Sequence, residues 1–132
     1  MIKQIQGLIE QMSQELPGVL AAAVVTIEDG MSIAEASNKD DIETAAASAY
    51  LASIVKSNAK AISLLADDEE IDDILVTTSQ YHFIIRHQPD QPIFIFLMTT
   101  RDTWLGKARM LIKNYEKQLE QFSDFLEQHY TV

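Results

Sequence analysis

Ile2, Ile5, Ile9, Met12 and Leu16 recur at alternating three- and four-residue steps, which sets them along one side of a helix. Pro17-Gly18 ends that helix. Val19 to Glu28 then mixes β-branched residues with Ala21-Ala22-Ala23 and shows almost no polar contrast, the pattern of a strand covered on both faces. Asp29-Gly30 is a two-residue hairpin signal, because both central positions of such a turn need positive φ. Met31 to Ser37 returns as a more alternating strand at a sheet edge. Asp40 or Asp41 is placed to cap a second helix that runs without Gly or Pro to about Ala66. Ile71 to Ser79, Tyr81 to Gln88 and Ile93 to Thr99 read as three more strands, with a tight turn near Ser79-Gln80 and a second in "HQPDQP". "IFIFLMTT" is the most apolar strand and is expected at the centre of the sheet.

The two remaining helices carry more apolar surface than one sheet can cover. On the second, Leu51, Val55, Asn58, Ile62 and Leu65 form the side expected on the sheet. A second row, Tyr50, Ile54, Ser57, Ala61 and Leu64, lies roughly 100° round and calls for another helix alongside, for which a symmetry mate would serve. The last helix, capped by Asp102 or Thr103, keeps heptad-like spacing through Leu105, Ala108, Ile112, Tyr115, Leu119, Phe122 and Leu126. That outruns a five-strand sheet about 24 Å wide, so its end is expected to project or to rest on a partner. The order α-β-β-α-β-β-β-α gives a three-layer α/β/α sandwich: an α/β (α+β) fold around a mainly antiparallel five-stranded sheet. The first and third helices share one face and the second takes the other.

Length and charge narrow the function classes. A chain of 132 residues fits one domain with a core of its own. It has no cysteine, which excludes disulfides and thiolate metal sites and suits a reducing cytoplasm. Met1-Ile2-Lys3-Gln4 leads into a polar, periodic segment rather than a secretory apolar run, and no stretch approaches the ~20 apolar residues of a membrane span. Ten Lys+Arg against twenty Asp+Glu give a net charge of −10, which argues against nucleic acid and membrane surfaces as partners. "DDEEIDD", Asp67 to Asp73, lacks the glycine and alternating oxygen ligands of a calcium loop and reads as a solvated loop, the alternative being a basic partner.

The order of elements and two motifs carry a resemblance. "LPGVLAAAVVTIEDGMSIA" resembles the first hairpin of the Roadblock/dynein-light-chain family, and "WLGKARMLIKNY", Trp104 to Tyr115, is similar to its third-helix signature. The likeness covers Ile2 to about Tyr115, so residues 1–115 would form a Roadblock-type, profilin-like domain and 116–132 an extension of its last helix. The resemblance implies a dimer, with itself or a paralogue. The third strands of the two protomers would pair, bringing in Ile74 and Val76, and the second helices would lie side by side through Tyr50, Ile54, Ser57, Ala61 and Leu64. It also implies a non-enzymatic regulator or scaffold, in motor complexes, nutrient sensing, or bacterial gliding and polarity. In the gliding-type members the second-helix face of the dimer holds a small Ras-like GTPase and reshapes its active site.

Residue chemistry agrees with the absence of catalysis. No serine sits in a G-x-S-x-G elbow, and no Walker or G-x-G-x-x-G motif is present, so no nucleotide or other cofactor is expected. His82 and His87 lie on opposite faces of one strand and cannot share a metal from that strand alone; His129 falls near the end of the last helix. Arg86 reads as a salt-bridge or surface residue. Arg101 and Arg109 invite an arginine-finger reading, but Arg109 stands between apolar neighbours and is better read as pairing with an acid. Ala45, Ala49, Ser53, Lys56 and Lys60 form a flat face of the second helix, opposite its sheet side. It is either solvated or a docking surface for an acidic partner. Trp104 is expected to cover the sheet edge or anchor an interface, and Leu119, Phe122, Phe125 and Leu126 to form an interaction or dimer-capping element. The expectation is a cytoplasmic homodimer acting on a small GTPase. The rivals are a PAS- or profilin-like small-molecule sensor and a motor or transport scaffold.

Overall fold

The structure, a computed structural model, describes residues 1–88 and 90–130; Pro89, one of the two prolines expected to confine the turn before the central strand, lies outside them. The elements are α1 (Ile2–Glu15), β1 (Val19–Thr26), β2 (Ser32–Ser37), α2 (Thr44–Leu65), β3 (Ile74–Thr77), β4 (Tyr81–Arg86), β5 (Ile93–Thr100), α3 (Leu105–Leu119), a 3-10 turn (Glu120–Phe122) and α4 (Ser123–Tyr130). The strands form one sheet in the order β2-β1-β5-β4-β3, and every neighbouring pair is antiparallel. The apolar β5 is central, and β1 beside it is buried almost throughout.

Alternation divides the sheet's side chains between two cores. Ala22 and Val24 of β1, Ile84 of β4, and Ile93, Ile95 and Leu97 of β5 meet α1 and α3. Ala21, Ala23 and Val25 of β1, Ile85 of β4, and Phe94, Phe96 and Met98 of β5 meet Ala52 and Val55 of α2. The three-layer sandwich is therefore as expected. On the first face, α1 lies over β1 and β2 and α3 over β4 and β5. The Tyr115 hydroxyl donates to Glu15 Oε1 at 2.5 Å and ties α3 to the end of α1. Burial, then the Glu15 carboxylate, raises the pKa of this phenol.

Both sheet edges and the first turn are specific. Gln6 of α1 treats β2 as a strand neighbour would: its Nε2 donates to Glu35 O at 2.8 Å, and Glu35 N–H donates to its Oε1 at 3.1 Å. In the β1–β2 turn Gly30 has φ +69°, and a Cβ there would stand 2.6 Å from the Ala49 Cα. Asp29 accepts the Thr26 hydroxyl and the Met31 N–H, and the Thr26 bond foremost holds its carboxyl below the usual range. At the opposite edge β3 is only four residues long. It is shorter than the expected Ile71–Ser79 because Asp72 and Asp73 turn to Arg86 and Arg109 at 3.1 and 2.9 Å.

Five expectations are corrected. Neither Asp40 nor Asp41 caps α2, whose N-cap is Glu43, and neither Asp102 nor Thr103 caps α3, whose N-cap is Trp104. Asp41 instead pairs with Lys39, while Asp102 and Thr103 are bonded to the Thr100 hydroxyl. The sheet side of α2 is turned towards its small residues: Thr44, Ser48, Ala52 and, as expected, Val55 are buried and Leu51 packs half-buried against the same core, but Asn58 and Ile62 are only half-buried and Leu65 is exposed. The last helix does not run on: it breaks at the 3-10 turn, and Leu119, Phe122 and Leu126 are buried in the α1–α3 core, with Phe125 half-buried against His129. Trp104 covers no sheet edge; it is 76% exposed.

Candidate functional site

The α2 face of the sheet is asymmetric. Two helices cover the opposite face, whereas here α2 is alone among the described residues and packs closest on β1 and β2. A helix is about 10 Å across and a five-strand sheet about 24 Å wide, so one helix cannot cover the layer. Towards the far edge Ile74, Tyr81 and Phe83 are half-buried and Val76 is exposed.

The two flanks of α2 differ in what they meet. Ala45 and Ala49 line a shallow cleft with the β1–β2 turn, and Lys56 Nζ donates to Glu28 O of that turn at 3.3 Å. Helical geometry then places Tyr50, Ile54, Ser57, Ala61 and Leu64 on the other flank. All five are exposed, Tyr50 at 77% and Leu64 at 75%, and Leu65 next to them at 83%. Five of the molecule's large exposed apolar side chains (Tyr50, Ile54, Leu64, Leu65 and Val76) thus belong to α2 and β3. Of the residues predicted for a seam, the five on α2 are exposed along one side of that helix, while on the edge strand β3 Val76 is exposed and Ile74 half-buried.

The second predicted set is placed differently from its expectation. Ala45, Ala49, Ser53, Lys56 and Lys60 are all exposed, but the row abuts the β1–β2 turn instead of standing opposite the sheet. No ion pair among the described residues involves Lys56 or Lys60. The Gly30–Ala49 approach was not legible in the sequence: Asp-Gly announces the turn and not the helix resting on it.

Arg86 and Arg109 are engaged, as read from the sequence, and Arg101 Nη1 donates to Thr78 O at 3.1 Å. Arg109 Nε donates to Asp73 Oδ2 at 2.9 Å. Arg86 bridges Glu116 at 3.0 Å and Asp72 at 3.1 Å; burial opposes its charge, but the two carboxylates outweigh this and raise its pKa. His82 is buried with Nδ1 3.4 Å from Thr77 Oγ1, and His87 Nε2 lies 2.8 Å from Gln91 O. No group of three His, Cys, Asp or Glu among the described residues is arranged to hold a metal ion. No described helix is long and apolar enough to cross a membrane.

An α/β/α sandwich with this strand order and a bare flank on its lone helix is the Roadblock fold. Solved structures carry it across nearly the whole chain. MglB of Myxococcus xanthus superposes with a TM-score of 0.84 at 15% identity, over 95% of this chain and 91% of that one. A Roadblock/LC7 domain from Streptomyces avermitilis gives 0.79 at 11% identity, over 89% and 95%. The gliding protein MglB of Thermus thermophilus gives 0.73 at 15%, over 93% and 90%. No protein-family model and no curated protein matches the sequence. At such identities the likeness is one of fold.

Proposed function

We propose that the chain is a homodimeric, non-enzymatic regulator or scaffold of a small Ras-like GTPase, working in the cytoplasm. The observation that carries this reading is the bare flank of α2 beside an open β3 edge. A second copy would lay its own α2 alongside this one through Tyr50, Ile54, Ser57, Ala61 and Leu64, and add its β3 to this one at Ile74 and Val76. A paralogue would meet the same surface. Ala45, Ala49, Ser53, Lys56 and Lys60 of both protomers then form the docking face. The GTPase would be regulated by a shift in its conformational population, without a catalytic side chain from this protein. The resemblance of the sequence to gliding-type regulators, and the MglB structures among the fold's neighbours, support the GTPase as partner.

The sensor reading has one observation in its favour. A concavity of about 440 Å³ opens between the β4 and β5 ends and α3–α4, lined by Arg86, Gln91, Glu116 and Leu126. That volume suits a small molecule, but Arg86 is already neutralised there by Glu116 and Asp72.

Sedimentation equilibrium on wild type and on Ile54→Glu/Leu64→Glu, with circular dichroism as folding control, tests the seam. A dimer that becomes a folded monomer supports the proposal; a monomeric wild type at the highest practical concentration refutes it. Pull-down of small GTPases in both nucleotide states, with Lys56→Glu/Lys60→Glu as control, then tests the partner.

A further inference from the structure

Positive charge is not spread evenly over this acidic chain. Residues 101–117 hold five of its ten Lys+Arg (Arg101, Lys107, Arg109, Lys113, Lys117) and only two of its twenty acids, Asp102 and Glu116. The segment carries a local charge of +3 against −13 for the rest. Glu116 turns inward to Arg86, so no acid of α3 stands on its outer face.

On that face Lys107, Met110, Lys113, Asn114 and Lys117 fall within about 60° of one line down the helix, and all are exposed, Met110 at 71%. Trp104 stands just before the helix, and with Leu16, Pro17, Thr100, Asp102 and Lys107 it lines a surface groove of about 500 Å³, in which Asp102 accepts the Thr100 hydroxyl. Lys113 reaches Asp72 only at 3.9 Å, and no ion pair among the described residues involves Lys107 or Lys117. A large exposed Trp and Met set among cations is an unusual surface, since Trp, Met and Arg are the residues enriched in interface cores.

We infer that this stripe docks a short acidic segment of another protein, its carboxylates along Lys107, Lys113 and Lys117 and one apolar side chain in the groove beside Trp104. Charge decides the occupant. A phospholipid surface or a nucleic acid is an extended anion that would also face the acidic remainder of the molecule, within reach of a screening length of about 8 Å. A whole second copy would bring a further net −10. A peptide segment meets the stripe alone. The site lies on the opposite sheet face from α2, so the inference stands or falls independently of the proposed GTPase surface.

Trp104 is the only tryptophan and reports directly on the groove. The experiment titrates the full chain with a Trp-free acidic peptide, Ac-EEDELDEE-NH2, and follows indole emission. We expect a saturable blue shift whose apparent Kd weakens about tenfold or more between 50 and 500 mM NaCl. The shift should be abolished in Lys107→Glu/Lys117→Glu, with an unchanged circular dichroism spectrum because both lysines are exposed. Replacing the peptide's Leu by Gly should remove the shift while leaving weak, salt-sensitive binding. No shift at 1 mM peptide, or one that survives in the double variant, overturns the inference. So does binding to phosphatidylserine vesicles without binding to peptide, which assigns the face to a membrane. Self-association that the double variant abolishes overturns it in favour of a second copy.

Discussion

Gly30→Ala is the substitution that asks most of this architecture. The residue sits at φ +69°, and the built Cβ falls 2.6 Å from the Ala49 Cα and 3.3 Å from the Ala49 N and Cβ. Two costs combine. Left-handed backbone costs an Ala about 1–2 kcal/mol relative to Gly. The contact adds to this because the obstructing atom is helix backbone and cannot rotate away; relieving it lifts α2 from the sheet where Ala52 and Val55 are packed, a strain of about 1–3 kcal/mol by analogy with overpacked cores. The sum, ~2–5 kcal/mol, corresponds to a fall in Tm of roughly 8–20 °C for a chain of this size. Differential scanning calorimetry is the assay, and Gly106→Ala is its control. There a Cβ meets nothing within 4 Å and no positive φ is involved. It should not lower the Tm. A Gly30→Ala protein melting within ~2 °C of wild type would refute the claim that the turn sets the height of α2.

Two other outcomes follow from the first core. Leu126→Ala should cost about 2–5 kcal/mol in urea unfolding, as expected for a buried leucine, whereas a projecting helix end would lose almost nothing. Tyr115→Phe should cost about 1–2 kcal/mol by leaving Glu15 without its phenol donor. The pH dependence has a definite sign. The Tyr115 pKa is raised on folding, so its contribution is complete below pH ~10, the ordinary tyrosine value, and is lost progressively as pH rises above it. Chemical denaturation between pH 8 and 11 should show a decline that is absent in Tyr115→Phe.

Much of the fold was legible because strong patterns coincided with simple packing. The uniformly apolar run in β1 and "IFIFLMTT" each has one physical solution, and the structure adopts it; Asp29-Gly30 does mark a turn, but the connection spans Ile27 to Met31 instead of two residues, and of the pair only Gly30 has positive φ. The second helix was harder for a definable reason. In "TAAASAYLASIV" alanine and serine give almost no contrast, and Ser48 and Ala52 reach the sheet because a small residue lets the helix lie close. Leu65, larger and more apolar, was assigned to the sheet and is left outside. The break after Leu119 had no Gly or Pro to announce it, and a single 3-10 turn keeps Phe122 and Leu126 on the same core. The row Tyr50 to Leu64 could be read as surplus because its spacing is regular. The cationic stripe on α3 was missed because Lys107, Lys113 and Lys117 look like ordinary solvated positions until Glu116 is seen to turn inward.

The Gln6 side chain on Glu35 bears on how many molecules the sheet can join. An open strand margin is a template, and a sheet with two such margins can add neighbours without limit. Here one margin is occupied at its middle by an amide from the molecule's own first helix, while the other, β3, has no such plug among the described residues. Two molecules meeting through their β3 strands would present only plugged margins outward, and propagation ends there. In such a pair a glutamine in the first helix, far in sequence from the strand it blocks, would act as a chain terminator, separating a finite ten-stranded sheet from a growing fibre.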